Sequence, residues 1–293
     1  MSRSAPCPGR TRAAVAGLAL LALVATGCGG EGDGTQSGGD PGAQHVHGLA
    51  YDPGREALVA AAHTGLFEIE GSRYTRIGEN YQDTMAFTVA GPGRYLGSGH
   101  PGGEAQLDLP PFLGLIESTD GGESWSSVSL QGRVDFHLLQ VAGSRIYGFG
   151  SNFKTRREAL YVSDDGGKTW RIGPAPGALA SLAVSPSDPN LLVASGARRL
   201  FLSRDGGRRW RPLRSGPGIL AWPRDGALYR ADPSGVLSVA TAPTAKFGSL
   251  GDFGLTPTAF ASAPDGSFYV SGEQDEILAS GDNGRSWSEI APP

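Results

Sequence analysis

One eight-residue phrase recurs four times along the chain: STDGGESW at 118–125, SDDGGKTW at 163–170, SRDGGRRW at 203–210 and SGDNGRSW at 280–287. Each copy follows a short apolar run (LGLIES, EALYVS, RRLFLS, DEILAS) and leads into another extended segment, so each reads as the turn of a β-hairpin. A second hairpin turn lies upstream of every copy. Counting the two units that lack the phrase, these turns are centred on Pro53, Pro92, Gly143, Pro186, Arg224 and Pro264, with spacings of 39, 51, 43, 38 and 40 residues.

Four strands repeated at that period are the signature of a β-propeller, so the chain is expected to be all-β and six-bladed, each blade a four-stranded antiparallel sheet. Unit 1 replaces the phrase with Gly71-Ser72 and Tyr74, and unit 5 with the segment 235–250. The units run in phase from His45 to Ile290, with no strand left over. A seven-bladed ring is the alternative, with its extra blade hidden in the 51-residue spacing.

Every position of the phrase has a structural task. Asp120, Asp165, Asp205 and Asp282 can accept backbone N–H groups and cap the turn. Gly122, Gly167, Gly207 and Gly284 suit backbone angles that a Cβ would strain. Trp125, Trp170, Trp210 and Trp287 open the outermost strand and can wedge between blades, burying on the order of 200 Å² each. The phrase is identified as the Asp-box of the BNR repeat, found in sialidases, sortilin-type receptors, photosystem assembly factors and secreted bacterial propellers. The resemblance extends over 45–290. The opening HVHGLAYDP with HTGLFEIE is also similar to bacterial Asp-box lipoproteins that are often labelled glycosyl hydrolases on repeat similarity. It implies blades and leaves activity open.

The N-terminus reads as an address. Arg3, Arg10 and Arg12 precede an apolar run from Ala13 to Ala25, too short to span a bilayer and suited to a signal peptide. Ala25-Thr26-Gly27-Cys28 resembles a lipobox, which implies acylation of Cys28 and anchoring on the outer face of the cell membrane. Residues 29–44 follow as a glycine-rich tether, and 45–293 as one propeller domain. The only other cysteine, Cys7, lies in the signal segment, so the domain has no disulfide and must be held by its core. A net charge of −4 gives no footprint for nucleic acid or for anionic lipid.

Strand alternation places the Asp-boxes at one end of the ring and all five histidines at the other. His45 and His47 enter the first strand of blade 1, His63 and His100 end second strands, and His137 enters blade 3. Imidazoles on three successive blades suggest a metal site for copper or zinc, with Met85 favouring the former and a carboxylate the latter. Asp83, Asp135, Asn152 and Glu273 share that end as candidate ligand-binding residues for a protein, glycan or small molecule. The function expected is therefore a non-catalytic binding or assembly module. The alternative is a glycoside hydrolase drawing carboxylates from Asp83, Asp135, Glu273 or Asp275. Sialidase chemistry is disfavoured: Arg156, Arg157, Arg198 and Arg199 share the right end, but no third blade completes an arginine triad.

Overall fold

The structure is a computed structural model that describes residues 40–103 and 106–291. The segment read as a signal peptide, Cys28, residues 29–39 of the expected tether and Glu104 lie outside these. Twenty-four strands form six separate four-stranded sheets, each from four consecutive antiparallel strands. The six-bladed reading holds, with no seventh sheet among the described residues: the long second spacing is a connection between Arg94–His100 and Leu115–Ser118 in blade 2. The innermost strands of the blades are Val46–Asp52, Asp83–Gly91, Val134–Ala142, Leu179–Val184, Ile219–Ala221 and Pro257–Ser262, and each packs beside the next around the axis. The last packs on the first, which closes the ring.

A period of two along each strand sends alternate side chains to the two neighbouring blades. On the strand Ala57–Ala62, Leu58, Ala60 and Ala62 face blade 6, while Val59 and Ala61 face blade 2. The buried apolar residues accordingly form six clusters, one at each blade junction. All six junctions are filled from within 40–291. The ring therefore carries its whole core in that segment.

The Asp-boxes are framework. Asp165 accepts the amides of Lys168 and Thr169 at 3.1 and 2.9 Å and the Thr169 hydroxyl at 2.7 Å, while Ser163 Oγ accepts the Gly167 amide at 2.8 Å. Asp282 repeats the pattern in full, Asp205 accepts the two amides, and Asp120 accepts the amide and hydroxyl of Ser124. The Ser124 hydroxyl and amide, with Ser118, hold the Asp120 carboxyl at about 2. The Trp rings wedge as expected: Trp170 packs on Phe136 and Tyr161, and its indole N–H donates to Ser129 Oγ of the preceding blade at 2.9 Å. The glycine has a second duty. A Cβ at Gly167, Gly207 or Gly284 would collide with Leu115, Leu160 or Leu237 of the preceding blade, so this glycine is the socket for a leucine knob.

Among the described residues, no strand is exchanged between the first and last blades to close the ring. A side chain does it instead. Asp275, in a turn of blade 6, accepts the backbone N–H groups of His45 at 2.9 Å and Val46 at 2.7 Å, both on blade 1. The Tyr74 hydroxyl of blade 1 donates to the Asp275 carbonyl at 3.3 Å. Asp275 was a candidate glycosidase carboxylate, and the structure engages both its oxygens in this clasp. Ahead of the first strand, the Asp40 carboxylate pairs with Arg76 of blade 1. Residues 40–44 lie against the same blade, where the Gly42 carbonyl accepts from the Thr64 hydroxyl and the Gln44 carbonyl from the His63 amide.

Candidate functional site

The five histidines gather at the end opposite the Asp-boxes and divide into two groups. In the first, His47 of the innermost strand and His63, just past the second strand, both belong to blade 1. Asp83 enters the innermost strand of blade 2. His47 Nε2 lies 3.0 Å and His63 Nδ1 2.9 Å from Asp83 Oδ1, and the two nitrogens are 3.1 Å apart. Burial works against charge on Asp83, but hydrogen bonds from both imidazoles outweigh it and hold its carboxyl below the usual range. His45 stacks on His63 with ring centroids 5.0 Å apart and meets the edge of His47 at 4.9 Å. It is held there with a positive φ of 50° by the Asp275 clasp.

The second group sits one junction further round. Asp135 of blade 3 accepts from His137 Nε2 at 3.1 Å, and His100 Nε2 of blade 2 lies 3.7 Å from the same oxygen. The hydrogen bond to Asp135 raises the His137 pKa against the opposing effect of burial. His100 places Nδ1 2.8 Å from the Pro111 carbonyl, which fixes the proton on that nitrogen, since a carbonyl can only accept. The other oxygen of Asp135 is buried and has no hydrogen-bond partner among the described residues.

Strand register shows why the two groups are alike. Asp83 pairs with His100 and Asp135 with Ser151 across the first two strands of their blades, and His45 meets His63 in the same place, with the His63 amide 3.3 Å from the His45 carbonyl. An acid from each blade thus meets the imidazoles at the junction before it. Met85 lines a narrow axial channel of about 100 Å³ with His47 and His137, without joining the His47–His63–Asp83 triangle. Asn152 is taken up by its own loop, accepting the amides of Lys154 and Thr155 at 3.0 and 3.1 Å. Glu273 is exposed in the turn that carries Asp275.

The larger cavities, about 590 and 700 Å³, open at the other end of the axis. Their walls are turn prolines, glycines and alanines, and the acids among them are spent locally: Asp225 accepts from the Tyr229 hydroxyl and the Ala227 amide, and Asp265 from the Ser267 amide. Volume alone carries no chemistry there. The convergent donors are at the histidine end.

A BNR/Asp-box repeat model matches residues 161–171, the second Asp-box and its flanking strands. The chain is a six-bladed β-propeller that carries a BNR/Asp-box repeat at 161–171. A search of curated protein sequences returns no match. Among solved structures the propeller is similar to YCF48 bound to D1 peptide, at 19% identity over 85% of this chain and 83% of that one, with a TM-score of 0.52. It is similar to a gluconolactonase from Xanthomonas campestris at 16% identity, over 79% and 84% of the two chains, TM-score 0.59. It also resembles an ancestral GH74 enzyme at 15% identity, covering 87% of this chain but 39% of that one, TM-score 0.53. At such identities the likeness establishes the fold alone.

Proposed function

We propose that this propeller is a non-catalytic binding module, held outside the cell membrane by an acylated Cys28, whose histidine end binds a divalent transition-metal ion through His47, His63 and Asp83. The observation that carries the proposal is the triangle of donor atoms with edges of 2.9, 3.0 and 3.1 Å. Donors about 2.1 Å from one ion stand roughly 3.4 Å apart at tetrahedral angles and about 3.0 Å apart at right angles. The triangle is thus already at ligand spacing. It is poorly satisfied by protons alone, because two imidazole nitrogens that both donate to one oxygen point their N–H groups past each other at close range. Two imidazoles and a carboxylate, with no thioether among them, suit zinc or iron(II) better than copper(I).

Glycoside hydrolysis has less support in the geometry. It needs two carboxylates flanking an open substrate site, whereas Asp83 lies between imidazoles, Asp135 is buried beside His137 and Asp275 closes the ring.

The test is elemental analysis of 29–293, stripped with a chelator and dialysed against zinc or iron(II). One equivalent should remain bound, and His63→Ala or Asp83→Asn should abolish retention. Affinity should rise with pH, since an imidazole must be deprotonated to ligate. Absence of stoichiometric binding of either ion, or retention by the His63→Ala chain, would overturn the reading.

A further inference from the structure

We propose that the histidine end of the propeller docks on an anionic membrane surface through the long second-to-third-strand connections of blades 2 and 3. Five large hydrophobic side chains are exposed among the described residues, and four of them, Tyr81, Leu107, Leu109 and Phe153, lie at this end. Leu107 is 79% exposed. The group is continuous: Gly103 lies against Tyr81, the Leu109 amide donates to Gln106 in the turn that carries Leu107, and Phe112 bridges to Phe153 with ring centroids 5.4 Å apart. An apolar patch raised on two loops serves no blade junction, since every junction is filled from the strands.

Cations border the patch. Arg133, Lys154, Arg156 and Arg157 are exposed in the adjoining connections, and Arg198 and Arg199 continue the series onto blade 4. None of the six forms an ion pair among the described residues, which leaves their charge available; Lys168, Arg204 and Arg208 at the Asp-box end are likewise unpaired but border no such apolar patch. The exposed acids in these connections and in the one that bears Tyr81 are Glu79, Asp108 and Glu158, and with Glu104, outside the described residues, they make four against the six cations. The positive balance is local to these connections, within a chain of net charge −4. Apolar side chains that can enter the headgroup region, framed by unpaired cations, are the combination that binds anionic lipid interfaces.

The chain entry favours a membrane over an acidic protein as the occupant. Asp40 and Gln44 lie at this same end, the latter with its carbonyl 2.9 Å from the His63 amide. Eleven residues separate Cys28 from Asp40, and the twelve Cα–Cα steps between them span at most about 40 Å. With Cys28 acylated, this end is therefore held within reach of the bilayer at high effective concentration. That orientation rests on the anchor reading; the patch itself does not.

Sedimentation of 29–293, which holds the whole ring without the apolar run or Cys28, with phosphatidylglycerol-containing and pure phosphatidylcholine vesicles tests the proposal free of acylation. Binding should require the anionic lipid and fall with added salt. Lys154→Gln, Arg156→Gln and Arg157→Gln together should weaken it by on the order of a hundredfold, about 1 kcal/mol for each cation near the surface. Leu107→Asn with Phe153→Ser should weaken it at least about tenfold by removing the inserted surface. Lys168→Gln, Arg204→Gln and Arg208→Gln make the same charge change at the Asp-box end and should leave binding within about twofold. No association with anionic vesicles at low salt, as an acidic protein partner for this face would give, overturns the proposal. Equal losses from the two charge triples would do so as well, because bulk charge would then suffice.

Discussion

Asp275 is the residue on which closure of the ring can be tested most directly. Asp275→Gly removes both acceptors from the His45 and Val46 amides while preserving the backbone, because glycine adopts the native φ of 64° without penalty. Hydrogen bonds to a charged acceptor contribute about 1.5–3 kcal/mol each, towards the low end where water can replace the partner. The His45 amide faces solvent and should lose about 1 kcal/mol, whereas the Val46 amide belongs to a residue only 2% exposed and should lose about 2 kcal/mol as an orphaned donor. The sum, about 3 kcal/mol, corresponds to a fall of roughly 6–12 °C in Tm for a domain of this size. Differential scanning calorimetry of 29–293 reads it, and hydrogen exchange should show the Val46 amide opening first. Asp275→Asn keeps one acceptor and the tolerance for positive φ, so it should fall between the two. A Tm for the glycine variant within about 1 °C of the parent would refute the clasp and leave closure to apolar packing alone.

Two further outcomes follow from the same structure. Gly167→Ala adds a Cβ that collides with Leu115 at a φ of 90°, and should cost about 2–4 kcal/mol in urea unfolding; Gly166→Ala, at a φ of 74° with open space around it, should cost about 1 kcal/mol, so the difference measures the knob-and-socket contact. The His137 pKa is raised by Asp135, so that pair stabilises the fold fully at pH below the ordinary imidazole value and the contribution fades as pH rises through the raised one. His137→Asn should therefore flatten stability against pH over that window, by under about 1 kcal/mol because the side chain is 40% exposed; an unchanged slope would separate His137 from the effect.

The candidate site was only partly legible. All five histidines could be placed at one end from strand direction, and Asp83 and Asp135 beside them. Their division into two acid–imidazole groups could not, because His47 and Asp83 lie 36 residues apart on different blades and their contact depends on the rotation between those blades. Asn152 has the composition of a ligand-binding residue, but its carbonyl caps the loop that bears it.

What the sequence determined by itself is whatever short-range chemistry repeats along the chain. The Asp-box turn is built within eight residues, from an acid, two adjacent small residues and an indole, and its period counts the blades without reference to any distant contact. Only the tertiary structure decided the rest. The glycine sockets are filled by leucines of another blade, and Asp275 reaches a strand 229 residues away. The unpaired cations come from separate loops within a chain of negative net charge. The sockets and the cation cluster depend on the packing of one blade against the next, and the Asp275 contact on a ring that returns its last blade to its first.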